Sequence, residues 1–253
     1  MKKYRLIVRS KNHSCAPLRE LYTDKPCILR LGSTTPTERI TKRKCVELNS
    51  PHACHVSGNK ILMKEKFIQA GVNTAEYFVY NKNINIKNYF NLWGTIIAKH
   101  KHSSKGNGIY LLESYKDFLE FKNGKVLSDY VFEKFYKYNR EYRLHVTKDG
   151  CFYTCRKMLK RDAEVRWHRH DNNSVWILEE NELFDRPNNW NKIVSDCVKA
   201  LKSLGLDIAA FDVKCEAGVK NPKWIILESN SAPALGGVGI EKYKQQLTKM
   251  LCD

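Results

Sequence analysis

A mixed α/β fold of the α+β kind is what the sequence predicts, and three patterns carry the prediction. Near the C-terminus, Ile208 to Cys215 and Trp224 to Ser229 read as two strands joined around Asn221-Pro222, which makes a hairpin. Ahead of them, apolar residues at Ile193, Val194, Cys197, Val198, Leu201 and Leu204 keep a helical rhythm from Trp190 that stops at Gly205. Further upstream, short apolar strands alternate with polar turns, as in Tyr142 to Val146 and Cys151 to Lys157 around Lys-Asp-Gly.

The 253 residues suffice for a large core, arranged as one three-part enzyme or two modest domains. The longest apolar runs, such as Trp224 to Leu227, are too short to span a bilayer, and Met1 to Ser10 lacks the apolar stretch of a secretory signal. A cytoplasmic protein without membrane contact is therefore expected. Nine cysteines show no C-x-x-C pair and no Cys–His rhythm, which points to free thiols in a reducing compartment rather than to zinc or disulfides. The formal charge is +17, and residues 1–60 hold 13 Lys and Arg against 4 Asp and Glu. Such a field concentrates anions, whether nucleotides, acidic peptides or nucleic acid. A lysine-rich composition that only keeps the chain dissolved explains the same number.

Taken in order, residues 4–9 and 27–31 are two short buried strands. The polar connection 33–45 follows, where the R-L-G-S-T-T-P-T hydroxyls beside Arg30 either receive an anion or form a plain loop; the spacing matches no phosphate-binding loop, so the plain loop is expected. Ser57 or Asn59 caps a helix that runs to Ala70 before Gly71, and Val72 to Tyr80 is a strand. Gly94 to Glu113 reads as a strand ending at Lys99, a polar loop from His100 to Gly108, and a second strand from Ile109. A strand-end lysine supplies a point charge, and Gly106 and Gly108 let backbone N–H groups approach closely, so this stretch is a candidate phosphate site, with a bare hairpin loop as the alternative. Ser114 to Phe121 is a short helix, 131–136 a buried strand and Ser174 to Glu179 another strand. Arg156 to Asn173 is the most basic and aromatic stretch of the C-terminal half, fit either for an enzyme's anionic substrate or for stacking single-stranded nucleic acid. A last amphipathic helix starts at about Ile240 and carries Tyr243, Leu247 and Leu251.

The C-terminal hairpin carries chemistry as well as core. Side chains two apart in a strand face the same way, so Glu228 and Asn230 present a carboxylate and an amide oxygen together, and strand pairing brings Asp212 towards Glu228. These hard oxygen donors suit Mg²⁺, which favours carboxylates supplemented by phosphate oxygens and water. This D…E-x-N arrangement, followed by Ser-Ala-Pro-Ala-Leu-Gly-Gly from Ser231, resembles the end of the nucleotide site in the ATP-grasp superfamily, in particular its carboxylate-amine ligases. The likeness covers about residues 57–240 and implies an ATP-grasp fold, two α+β subdomains clasping ATP. It divides the chain into a short basic N-terminal segment, 1–56, an N-terminal subdomain, 57–130, and a C-terminal subdomain, 131–253.

By the same resemblance Lys60 and Lys99, with the loop of Gly106 and Gly108, reach the phosphates of ATP. Glu133, Lys134, Phe135 and Tyr136 form the hinge that reads adenine, and Glu141 holds the ribose. Asp212, Glu228 and Asn230 hold Mg²⁺, with Mn²⁺ as a substitute. Arg166-Trp167-His168 stands where ligases resembling the enzyme that adds glutamates to a ribosomal protein carry an R-x-N element for the nucleotide and acylphosphate; His168 departs from that Asn. Arg156, Lys157 and Arg166 are the candidates to stabilise acylphosphate oxygens.

The chemistry so implied is amide formation in two steps: a carboxylate takes the γ-phosphoryl of ATP, and an amine then displaces phosphate. The substrates would be small-molecule, peptide or protein carboxylates and amines, and the basic N-terminal segment suggests an acidic acceptor. Two other readings stay open. One is a kinase of a small carboxylate or alcohol; the other is a non-catalytic nucleotide-binding module attached to nucleic acid by its positive face.

Overall fold

The computed structural model describes residues 3–36, 45–103, 106–170 and 172–252. At the N-terminus, β1 (Tyr4–Arg5) and β2 (Ile7–Ser10) precede a 3-10 helix over His13–Glu20, β3 (Tyr22–Thr23), β4 (Cys27–Leu31) and β5 (Val46–Leu48). The single strand expected over 4–9 is split at Leu6, whose N–H donates to the Leu21 carbonyl at 2.9 Å. β1 pairs antiparallel with β3, while β2, β4 and β5 form a parallel sheet in that order. Of the expected connection 33–45, residues 37–44 lie outside the described residues.

Two helices follow where one was expected. Ser50 caps α1 (Pro51–Gly58) by accepting from the Ala53 N–H, with Pro51 pre-set for the first turn. Asn59 then ends α1 and caps α2 (Lys60–Gln69), accepting from the Ile61 and Leu62 N–H groups. Ser57 is therefore inside α1 and caps nothing. The strand expected over 72–80 shrinks to β6 (Tyr77–Val79), and an unforeseen helix, α3 (Ile86–Trp93), fills the gap before β7 (Ile96–His100). β8 (Ile109–Leu112), α4 (Tyr115–Phe121), which a Ser114–Asp117 capping box opens, and β9 (Tyr130–Lys134) complete an antiparallel sheet of order β6-β9-β7-β8. Its core is aromatic: Phe78 stacks on Phe132 at 5.1 Å, and Phe118 and Phe121 meet Phe132 edge-on. Because β9 lies inside this sheet, the lobe ends after Lys134 rather than at the 130/131 boundary read from the sequence.

The remaining chain forms β10 (Arg140–Thr147), β11 (Gly150–Leu159), β12 (Ser174–Leu178), α5 (Trp190–Ser203), β13 (Ile208–Cys215), β14 (Trp224–Asn230) and α6 (Gly237–Cys252), which begins a turn before the expected Ile240. The antiparallel sheet has the order β12-β11-β10-β13-β14. One face, with Tyr142, Leu144 and Val146 of β10 and Phe211 and Val213 of β13, is sealed by α1, α2 and α5. Each such large side chain contributes roughly 1.5–3 kcal/mol on burial. α6 packs Ile240, Tyr243 and Leu247 in one cluster with Leu6 and with Val8 and Leu29 of the parallel sheet.

The opposite face of the five-stranded sheet is also buried, but it is charged. Alternation along β10 and β13 places Glu141, Arg143 and His145 beside Lys214, Asp212 and Ala210. All nine cysteines are free thiols. Among the described residues no helix is long and apolar enough to cross a membrane.

Candidate active site

Buried charged side chains of the four-stranded sheet, the five-stranded sheet and α2 form one cluster. Lys60 and Lys64 of α2, one turn apart, join Lys99 of β7 and Glu133 of β9 from the four-stranded sheet; all four are buried. Glu133 lies 2.7 Å from the Lys99 ammonium and 3.3 Å from that of Lys64. Burial alone would push its carboxyl up, but the two lysines outweigh it and hold it below the usual carboxylate range. Burial lowers Lys60 and brings Lys64 down to about 8. Lys64 also donates to Thr74 Oγ1 at 2.6 Å, and that hydroxyl donates to the Ile226 carbonyl at 2.8 Å, so the two lobes are stitched at this point. Lys60 donates to the Ser103 carbonyl at the start of the glycine loop.

From the five-stranded side come Glu141, Arg143, Lys157, Asp212, Lys214, Glu228 and Asn230. The register opposes Arg143 to Asp212 and Asp212 to Glu228. Asn230 Nδ2 donates to Asp212 Oδ2 at 3.2 Å, which brings the three expected metal residues together. A β-bulge makes this arrangement. Val213 pairs with Ile226 and Asp212 with Glu228, leaving Leu227 as the extra residue. Ile226 thereby faces the apolar core while Glu228, two residues on, faces the charged cleft. Strict alternation would have put both on one side.

Asp212 and Glu228 titrate apart. Burial raises both, yet Arg143 pulls Asp212 below the usual range, and the Asp212 charge adds to burial in holding Glu228 above it, despite Lys60 and Lys99 nearby. Two carboxylates and an amide oxygen are a hard donor set, and a divalent cation would offset the Asp212 charge and the burial that hold the Glu228 carboxyl up. The residues fit Mg²⁺ on those grounds, provided phosphate oxygens and water complete its shell. No group of three or more His, Cys, Asp or Glu stands together among the described residues, so the protein alone makes no closed metal cage.

The other expected site residues are placed as follows. The Glu133 side chain is the buried acid under Lys99. The Lys134 and Phe135 N–H groups are spent on the Glu76 and Thr95 carbonyls, while the Lys134 ammonium and the Tyr136 hydroxyl converge on the Glu76 carboxylate at 2.7 and 3.1 Å. Glu141 is buried and accepts from Arg169 Nη1 at 3.3 Å, with Lys214 close by and 5.5 Å above the Phe135 ring. Gly106 and Gly108 have φ of 79° and 65°. A Cβ at Gly106 would lie 3.1 Å from the His170 Cβ, so the glycine loop rests on the basic stretch after β11. His168 is half-buried, its Nδ1 bonds to nothing, and burial with the charges of His170, Lys214 and Lys157 pushes it down to about 4, so it is neutral.

Two expectations are corrected. Arg156 alternates onto the core face, where it donates to the Leu183 carbonyl at 2.6 Å and to Asp185 at 2.5 Å, away from Asp212. Arg166 is exposed and turns back towards the Arg161 carbonyl. Lys157 is the one of the three on the cleft face: its ammonium lies 5.0 Å over the Trp176 ring, and its charge acts on Asp212. Sequence reasoning passed over Lys64, Lys214 and Trp176 and gave Arg143 and Arg169 no role of their own. The signals were there: Lys64 repeats Lys60 at helical spacing, and Arg143 and Lys214 each sit two residues from a candidate acid on the same strand.

No family model matches the sequence, and no curated protein matches it either. Solved structures do match by fold. A D-alanine–D-alanine ligase from Bacillus anthracis superposes with a TM-score of 0.65 at 13% identity, covering 90% of this chain and 76% of its own. The D-alanyl-alanine synthetase A from Vibrio cholerae superposes with a TM-score of 0.64 at 12% identity, covering 92% and 79%. The ATP-grasp ligase PsnB, complexed with a minimal precursor, superposes with a TM-score of 0.59 at 18% identity, covering 84% of this chain and 65% of its own, just under two thirds. The fold is that of the ATP-grasp ligases.

Proposed function

We propose that this chain, with its ATP-grasp fold, is an ATP-dependent carboxylate-amine ligase that forms an amide through an acylphosphate and releases ADP and phosphate. The observation that carries the reading is an excess of cations in the cleft. Among the described residues, Lys60, Lys64, Lys99, Arg143, Arg169 and Lys214 stand with Glu133, Glu141, Asp212 and Glu228. Buried charge left uncompensated is costly, so a cleft of this kind calls for a polyanion. A triphosphate accompanied by a divalent cation supplies one. Related folds point the same way: one PsnB structure is complexed with Mg and ADP, and one D-alanine–D-alanine ligase structure with ATP.

In this reading Lys60 and Lys99 hold the phosphates, with the loop of Gly106 and Gly108 closing over them. Asp212, Glu228 and Asn230 would hold Mg²⁺, which would supply neutralisation of charge on the transferred phosphoryl group. Adenine is read by the carbonyls of the hinge and by residues after Phe135, since the N–H groups of Lys134 and Phe135 are already used. Glu141 accepts from the ribose. Lys157, beside Asp212, stabilises the acylphosphate oxygens, the role that Arg156 and Arg166 are too far turned to take. A preorganised cation in such a place is worth on the order of 10²–10³ in rate. His168, neutral and with one nitrogen unbonded, takes the place of the Asn in the R-x-N element of the ribosomal-protein glutamate ligase group, as either donor or acceptor to the phosphates. The substrates are a carboxylate and an amine of small-molecule or peptide origin.

ADP release from Mg-ATP in the presence of pooled amino acids and peptides tests the reading, with mass spectrometry of the products. Amine-dependent release that is lost in Asp212→Asn and Lys99→Ala, with a product lighter by water than its two parts, is expected. A stable phosphorylated product formed without amine would make the protein a kinase instead. Failure to bind Mg-ATP would remove the proposal.

A further inference from the structure

Glu133 is a buried acid with two lysines on it, and only one of them is needed for the nucleotide. The carboxylate is 2% exposed; Lys99 holds Oε2 at 2.7 Å, and Lys64 lies 3.3 Å from Oε1. The two cations are held differently. Lys64 is fully buried, and its ammonium is tied by a 2.6 Å bond to Thr74, which is itself tied to β14 through the Ile226 carbonyl. Lys99 stands at the end of its strand, beside the glycine loop and within the field of Glu228. One cation is anchored and the other has somewhere to go.

We infer that Lys64 is a positioning residue: it stays on Glu133 as the standing counter-ion, so that Lys99 can leave that carboxylate for the phosphates. The inference rests on the nucleotide reading of the cleft. Breaking a buried ion pair by withdrawing one partner is strongly unfavourable because it strands the other charge. With Lys64 in place the stranded charge is never created. Glu133 keeps one partner in both states, and Lys99 exchanges a carboxylate for a phosphate of the same sign. Without Lys64, Lys99 would be the sole partner of Glu133 and would be held there against the nucleotide.

The experiment is a cycle of nucleotide affinities for wild type, Lys64→Met, Glu133→Gln and the double variant, using Mg with a non-hydrolysable ATP analogue. Lys64→Met should weaken binding roughly tenfold or more although Lys64 touches no phosphate, and adding Glu133→Gln should restore it to within about threefold of wild type. That rescue separates positioning from a merely structural role, which a second substitution in the same buried pair would worsen. Unchanged binding in Lys64→Met, or equal weakness in the single and double variants, overturns the inference. If Lys64→Met does not fold, Thr74→Val takes its place: a loosened Lys64 should cost about threefold, again recovered with Glu133→Gln, and unchanged affinity would refute the idea. Absence of nucleotide binding in the wild type would instead count against the proposed function.

Discussion

Arg143 meets Asp212 side-on, donating from Nε to Oδ1 at 2.7 Å and from Nη2 to Oδ2 at 2.8 Å. Both oxygens of the expected metal ligand are thus held by an internal cation, whose guanidinium is backed by the Trp176 ring 4.6 Å away. A divalent ion arriving at Asp212 must share that carboxylate with Arg143. Removing Arg143 should therefore tighten binding of the bare ion, and Asp212→Asn should weaken it. For Mn²⁺ followed by magnetic resonance in the absence of nucleotide, Arg143→Gln is expected to bind about fivefold to tenfold more tightly than wild type, and Asp212→Asn at least about tenfold more weakly. Equal Mn²⁺ affinity in all three proteins would place the ion elsewhere.

The glycine loop makes a second, separable prediction. At Gly108 a Cβ would lie 3.1 Å from the Ser103 Cβ and 3.2 Å from the His100 Cβ, on a backbone with φ of 65°. Gly124 has φ of 70° and nothing within 4 Å. Gly108→Ala meets both backbone strain and contact, whereas Gly124→Ala meets strain alone, on the order of 1–2 kcal/mol. Gly108→Ala is expected to lower the melting temperature at least as much as Gly124→Ala and also to raise KM for ATP about tenfold. Gly124→Ala should lower the melting temperature and leave KM unchanged. An unchanged KM in Gly108→Ala would mean that the loop's shape serves the fold and not the nucleotide.

What could be read from the sequence and what could not follow from the range of the interactions involved. The hairpin that joins Asp212 to Glu228 was legible because turn chemistry and strand apolarity are local. The bulge at Leu227 was not, although it decides that Glu228 faces the cleft, because a bulge is a property of the pairing and not of either strand alone. Arg156 and Lys157 are indistinguishable by composition, and only the register of β10, β11 and β13 tells which one reaches the site. Lys64 and Glu133 were visible, but sequence reasoning assigned Lys64 no role and Glu133 a role only in the hinge. Their meaning lies in a contact between α2 and β9, 69 residues apart in sequence. The helices α1 and α3 were missed for a different reason: each is only 8 residues long, too short for a periodic signal to rise above its neighbours.

Asn49 joins β4 of the N-terminal sheet to the start of β13. It is fully buried and has φ of 60°, the only positive φ outside glycine among the described residues. Its Nδ2 donates to the Arg30 and Ile208 carbonyls at 3.0 and 2.8 Å, its Oδ1 accepts from the Asp207 and Ile208 N–H groups at 2.8 and 3.1 Å, and its own N–H donates to Asp207 Oδ2 at 2.6 Å. Asn tolerates the left-handed region better than most residues, and here it also satisfies four buried backbone groups. Asn49→Ala should lose about 3–5 kcal/mol of stability in urea unfolding, and Asn49→Gly about 1 kcal/mol less, since glycine relieves the backbone but not the lost bonds. A loss below about 1 kcal/mol in Asn49→Ala would show that water replaces the side chain without cost.

The last prediction concerns acid. His145 is 1% exposed on the cleft face of β10, enclosed by Tyr153, Phe152 and Tyr243, with its Nδ1 3.0 Å from the Tyr243 hydroxyl. Burial, reinforced by the Arg143 charge, pushes its imidazole down to about 3 in the folded chain, against an unfolded value near 6.5. Between those values the unfolded chain binds a proton that the folded chain refuses, so stability is lost as pH falls below about 6.5, with a slope approaching 1.4 kcal/mol per pH unit from this group. Above that pH the group is neutral in both states and contributes no pH dependence. His145→Phe fits the aromatic surroundings and removes the titration, though it leaves the Tyr243 hydroxyl without its partner. Its urea midpoint is therefore expected to start lower at pH 7 and to fall less steeply than wild type between pH 6 and pH 4, the two free-energy curves converging by about 2 kcal/mol. Parallel curves would mean that the folded chain protonates His145 at no more cost than the unfolded one, and the acid sensitivity would then belong to the carboxylates of the cleft.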